Sequence, residues 1–242
     1  VNERESWNRR LAEYRPDDWR SLAELTVTIF PFIVLWTVMS IVSQQNYWVC
    51  LIIAIPAAGF LVRLFMIQHD CGHGSMFSHR AANDWIGRCL AVLTLTPYDY
   101  WRQSHAHHHA SSSNLDRRGI GDITTLTVKE FLDLDRWGRL KYRLYRHPLV
   151  MFGFGPMYLF VFRNRFPNEP ASARDWLSTM ATNVAIAVLV TLMVMWLGWR
   201  HFLAIHGPIT LIAASIGVWL FYVQHQFEDT LWVKKSDWSH ED

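Results

Sequence analysis

The chain has 242 residues, 51% of them hydrophobic, and 23 Lys and Arg against 21 Asp and Glu, a net charge of +2 with histidine neutral. So near a balance gives no electrostatic footprint for nucleic acid. Cys50, Cys71 and Cys89 are odd in number and form no C-x-x-C pair, which argues against a disulfide framework. The apolar residues come in long blocks, the pattern of a membrane protein.

Residues 1–24 are polar, carry Arg4, Arg9, Arg10, Arg15 and Arg20, and hold no apolar core of the kind a secretory signal peptide needs. Val1 in place of Met reads as a processed start or as part of a longer chain. A bilayer core takes roughly 20 apolar residues in a helix. Leu25–Val42 is the first such block and Trp48–Gln68 the second, separated by a short polar turn. Together, residues 25–68 predict a helical hairpin. Arg63 lies inside the second span, near its end, and is expected to snorkel to the membrane surface.

Residues 69–177 follow as a long polar segment with fourteen Arg and Lys. It opens on "HDCGH", where His69 and His73 stand four apart and share a helix face if the helix continues. Further on, "SHAHHHASSS" places His105, His107, His108 and His109 within five positions. A bland polar cluster and a metal site both fit that stretch alone, since imidazole suits several transition metals. On a helix, His105, His108 and His109 share one face, and His107 lies about 200° from His105. Pro148–Phe162 is apolar but too short to span and carries two glycines and two prolines, so it reads as interfacial or re-entrant.

Thr179–Trp199 and Phe202–Val223 predict the third and fourth spans, a second hairpin within residues 178–223. The turns at Gln45 and at Arg200 carry a single basic residue between them, so basic residues place both termini and the middle segment on the cytoplasmic side. Trp48, Trp196 and Trp199 then fall in the outer aromatic belt. His225 ends the fourth span on the same side as the other histidines, and residues 224–242 begin a cytoplasmic C-terminal part. Six histidines from three segments exceed what one tetrahedral zinc needs, which favours two metals. Asp70, Glu228 and Asp229 are available to accept from imidazole N–H groups, or are solvated charges beside a membrane. The fold expected is an all-α membrane protein, one domain over 1–242. Four transmembrane helices in two hairpins carry a cytoplasmic helical cap with the histidine boxes.

The stretches "HDCGHGS", "WRQSHAHHHASSSNLDRRGIGDI" and "FYVQHQFEDT", with four helices around them, resemble the membrane-bound fatty acid desaturase family, in wording nearest its bacterial and plastid acyl desaturases of the delta-12 or omega-6 kind. The resemblance implies two non-haem iron ions, oxygen as co-substrate, and removal of two hydrogens from a methylene pair. It implies an acyl-lipid or acyl-CoA substrate and an electron donor such as ferredoxin or cytochrome b5. It also implies a site facing the cytoplasm of a bacterial inner membrane. Carried over, His69 and His73 match the first box, His105, His108 and His109 the second, and His225 a further ligand. The family's third box, another H-x-x-H-H, has no match: only His240 follows His225. The chain is therefore expected to be C-terminally incomplete and inactive by itself. A hydroxylase or ketolase on the same scaffold remains an alternative, as does a non-catalytic relic. A metal transporter fits poorly, because the spans hold few ionisable residues beyond Arg63 and His206.

Overall fold

The computed structural model describes residues 15–238 apart from 120, 122, 169, 235 and 237. Arg4, Arg9, Arg10 and His240 lie outside the described residues. Helix α1 (Asp18–Val42) starts at Asp17, whose carboxylate accepts from the Trp19 and Arg20 amides. Helix α2 (Tyr47–His73) is capped by Asn46 in the same way. The turn at residues 43–46 is tight, so the two form a hairpin.

Helix α2 is the central post, packed against α1 and against three helices introduced below. Ala54, Ala57 and Ala58 are fully buried along it, with Leu61 and Leu64 continuing the stripe. Small side chains at this spacing let helix backbones approach closely in lipid, where van der Waals contact replaces the hydrophobic drive. The helix ends at Gly74, whose positive φ of 71° lets its amide turn back to the Asp70 and Cys71 carbonyls.

Helices α3 (Arg80–Leu93) and α4 (Tyr98–His109) form the cap. A bidentate pair joins them, with Arg88 Nε and Nη2 at 2.9 and 3.0 Å from the Asp99 carboxylate. Arg102 adds a second link, to Asp84. Gly87 is needed at their crossing: a Cβ there would lie 2.2 Å from the Tyr98 ring. The turn after α2 is tied to α1, since the Ser78 amide and hydroxyl donate to Asp18 and the Ser21 hydroxyl donates to the Met76 carbonyl.

A short 3₁₀ turn (Leu115–Arg117) leads to α5 (Val128–Asp133) and α6 (Arg136–Tyr145). The Pro148–Phe162 segment then winds as two π-helical stretches, Val150–Phe154 and Tyr158–Phe162, around one α turn. It lies against the last helix through Phe152 and Tyr222, whose rings are 5.6 Å apart. It is not among the helices long and apolar enough to cross a membrane.

Helices α7 (Ala173–Leu197) and α8 (Trp199–His225) are the last helices among the described residues, and α8, α3 and α4 are the other helices packed on α2. Gly198, at φ 80°, breaks them apart, so Trp199 opens α8 instead of closing the third span as the hydropathy had it. The first span likewise begins earlier than its apolar block, at Asp18, because a helix needs its cap and not its hydrophobicity to start.

Among the described residues, four helices of 25 or 27 residues are long and apolar enough to cross a bilayer. Their outer faces expose Phe30, Ile52, Ile55, Val184 and Leu192, and the apolar stretch of α7 has no buried residue. Water would penalise such a surface and lipid accepts it, so the chain is an all-α membrane protein. Among the described residues there is no strand beyond a single bridge between Asn114 and Val233.

Candidate metal centre

The last turn of α2 carries His69 and His73, and the second half of α4 carries His105, His108 and His109. The two helices bring their imidazoles together. His73 Nε2 lies 3.2 Å from His69 Nε2 and 3.1 Å from His105 Nε2, and His109 Nε2 lies 3.0 Å from His105 Nε2. One ring nitrogen from each of these four histidines falls within 4.8 Å of the others. His108 is nearly buried, and its Nε2 is 2.9 Å from His225 Nε2 at the end of α8.

Hydrogen bonding alone does not satisfy this arrangement. A neutral imidazole nitrogen offers one proton or one lone pair, not both. Yet His73 Nε2 and His105 Nε2 each face two other ring nitrogens. A cation resolves the crowding by accepting every lone pair at once. Two nitrogens each about 2.0–2.1 Å from one metal stand roughly 2.8–3.4 Å apart for right-angled to tetrahedral arrangements. The observed spacings match that range, so the residues fit a metal.

The outer nitrogens are held in the tautomer a metal needs. His69 Nδ1 is 3.1 Å from Asp70 Oδ1, and His225 Nδ1 is 2.7 Å from the Phe221 carbonyl. Each Nδ1–H donates outward and leaves the Nε2 lone pair pointing into the cluster. Burial, and after it the neighbouring imidazoles, push His105 down to about 3. His109 is lowered by the same causes in the same order. Both rings are therefore neutral at pH 7 and present lone pairs, not charge.

The six sequence-predicted histidines meet on one side of the helices, but not as one even cluster. His69, His73, His105 and His109 form a group of four, while His108 turns to His225. The groups adjoin, with ring centroids of His105 and His108 6.1 Å apart. His107 is exposed, away from both. Asp70 meets His69 as an acceptor. Asp229 lines a cavity of about 400 Å³ beside His108, His109 and His225, with Phe221, Trp232 and Trp238 in its wall.

Some supports were not foreseen from sequence. Trp101 stacks on His105 at 4.6 Å and 15°, and its ring is 5.9 Å from that of His69. Gly72 makes room for it, because a Cβ at that position would lie 2.9 Å from the Trp101 ring. Trp101 stands four residues before His105, the spacing of helix neighbours, which is the one signal that could have found it. Behind His225, Gln226 accepts from Arg146 Nη2 at 3.2 Å and donates to Thr125 Oγ1 at 3.1 Å.

A family model described as fatty acid desaturase matches residues 45–241. The chain is 45% identical over 226 residues to a fatty acid desaturase of Bacillus subtilis, covering 93% of this chain and 64% of that one. It is 31% identical over 192 residues to an sn-1 acyl-lipid omega-3 desaturase (ferredoxin) of Synechocystis sp., with 72% and 50% covered. An endoplasmic-reticulum omega-3 fatty acid desaturase of Vigna radiata is 27% identical over 240 residues, with 91% and 60% covered. The chain thus spans between half and two-thirds of the length of these relatives. Two boxes of histidines converging at the ends of four apolar helices, and a match over most of the sequence, lead to one conclusion: the chain belongs to the fatty acid desaturase family.

Proposed function

We propose that the protein introduces a double bond into a fatty acyl chain in an oxygen-dependent reaction at a two-iron site. The observation that carries the reading is the convergence of imidazole nitrogens at 2.9–3.2 Å from three helices. In this proposal His69, His73, His105, His108, His109 and His225 hold the irons. The reaction takes two hydrogens from adjacent methylenes and, with one O₂, two electrons and two protons, gives an alkene and two waters. The irons supply the oxidant for a C–H bond that no side chain can break.

The chain's own residues orient and enclose. Asp70 and the Phe221 carbonyl fix ring tautomers, Trp101 holds the plane of His105, and the Phe221, Trp232 and Trp238 side chains give the adjoining cavity an apolar wall. Such a wall suits a methylene chain and keeps water from the reacting carbons. Relatives named as acyl-lipid desaturases, with ferredoxin in their names, support a lipid-bound acyl substrate and a ferredoxin-type electron donor. The excess of Arg and Lys in residues 69–177 over the two opposite turns supports a cytoplasmic site, in a bacterial inner membrane.

Fatty-acid profiling of cells expressing the whole protein, against His105→Ala, is the test. A product lighter by two hydrogens, present only with His105, is expected; a product heavier by one oxygen makes the protein a hydroxylase. A polypeptide limited to residues 1–242 is proposed to fold in the membrane and to leave no new double bond. It carries six of the expected imidazoles, five from the first two boxes and His225 besides, and one H-x-x-H-H instead of two.

A further inference from the structure

Helix α6 has the sequence RWGRLKYRLY and no carboxylate. At 100° per residue, Trp137, Leu140 and Leu144 fall within a stripe about 60° wide. All three are exposed, by 57%, 44% and 53%. Arg136 and Arg143 border the stripe on one side and Lys141 on the other, all exposed. The opposite side of the helix faces protein: Tyr142 meets the Phe131 ring at 5.8 Å and its hydroxyl accepts from the Leu126 amide. The helix is thus anchored by one side and on the other presents an apolar ridge flanked by two arginines and a lysine. The acids nearest in sequence, Asp133 and Asp135, lie before its first turn, and Asp135 is occupied in capping the Gly138 amide.

We propose that α6 is a binding surface for the anionic lipid headgroups of the membrane that the four long helices span. An apolar ridge bordered by cations fits the boundary between acyl chains and headgroups, where the ridge enters the hydrocarbon and the long basic side chains reach out to phosphate. An acidic protein would match the cations but would leave Trp137, Leu140 and Leu144 as an unpaired apolar ridge, so lipid is the better occupant. Phe154, Tyr158 and Phe162 of the following segment are exposed as well, by 76%, 61% and 63%, and extend the apolar surface. In this assignment α6 holds the cap down on one leaflet, and the Gln226 contacts of Arg146, which follows α6 directly, tie that leaflet to the end of α8.

The test reads lipid contact and not desaturation, so it is independent of the reaction proposed above. The full chain, with exposed Cys89 replaced by Ser, carries a nitroxide at Leu140→Cys or Leu144→Cys. It is reconstituted in vesicles of phosphatidylcholine alone or with phosphatidylglycerol added. Collision with oxygen reports acyl chains, and collision with a water-soluble nickel chelate reports water. With phosphatidylglycerol both labels are expected in the acyl region. Lys141→Gln, Arg136→Gln and Arg143→Gln are each expected to shift the inserted-to-released ratio about fivefold toward water. Labels that stay in water in both vesicles overturn the proposal. Equal insertion in phosphatidylcholine alone overturns the assignment to anionic lipid. Protection from the chelate by added polyglutamate, in place of phosphatidylglycerol, overturns it in favour of an acidic protein.

Discussion

Gly72 and Trp101 work as a pair: the missing side chain of one admits the ring of the other, and that ring lies flat on His105. Gly72→Ala is expected to push Trp101 off His105 and weaken metal binding, and Trp101→Ala to weaken it without steric conflict. Titration of the purified protein with a divalent metal measures both. At Asp70, removing the acceptor of the His69 Nδ1–H should lower metal affinity about 10- to 100-fold in Asp70→Ala. His107→Ala should leave affinity unchanged, because His107 is exposed outside both histidine groups, whereas His108→Ala should lose the metal shared with His225. Helical spacing was enough to separate His107 from the others. It did not show that His108 parts from His105 and His109. On a helix His109 lies about 40° to one side of His105 and His108 about 60° to the other. Which neighbour each side meets depends on where α2 and α8 stand, and that is a property of packing.

Between elements, polar contacts set the geometry of the cap. Gly87 lets α3 cross against the nearly buried Tyr98 ring, so Gly87→Ala should destabilise the protein by about 1–3 kcal/mol through overpacking. Thermal unfolding in detergent measures it. Beyond α4, Arg118 holds Glu130 in a bidentate pair, and that guanidinium, followed by the Thr127 amide and hydroxyl, pulls the Glu130 carboxyl down to about 2. A carboxyl lowered in the folded state stabilises it above the ordinary value near 4.5, and the contribution is lost as pH falls toward 2. The protection of amides around Thr127 against hydrogen exchange, taken relative to their intrinsic rates at each pH, should therefore fall between those values, and Glu130→Gln should remove the acid dependence. Capping boxes such as Thr127–Glu130 are short-range and visible in sequence, whereas the partner twelve residues back is not. The four spans were legible because apolar length is a local property. The π-helical winding of residues 150–162 was not, since nothing in that composition distinguishes it from an α-helix.

Across the whole molecule, the ends of α2 and α8 must lie on one membrane face for His69, His73 and His225 to share a site with α4. That requires the segment at residues 148–162 not to cross. Cysteines placed at Arg139 and Asn168 should then be labelled from the same side, and one at Gln45 from the other. Impermeant-reagent labelling in intact cells checks this, and opposite sides for Arg139 and Asn168 would break the topology. The central claim is that imidazoles from α2, α4 and α8 hold iron. Elemental analysis of the whole protein, purified with and without His105→Ala, tests it most directly. The account predicts two irons per chain, lost with His105; zinc as the activity-supporting metal, or iron content unchanged by the substitution, would contradict it.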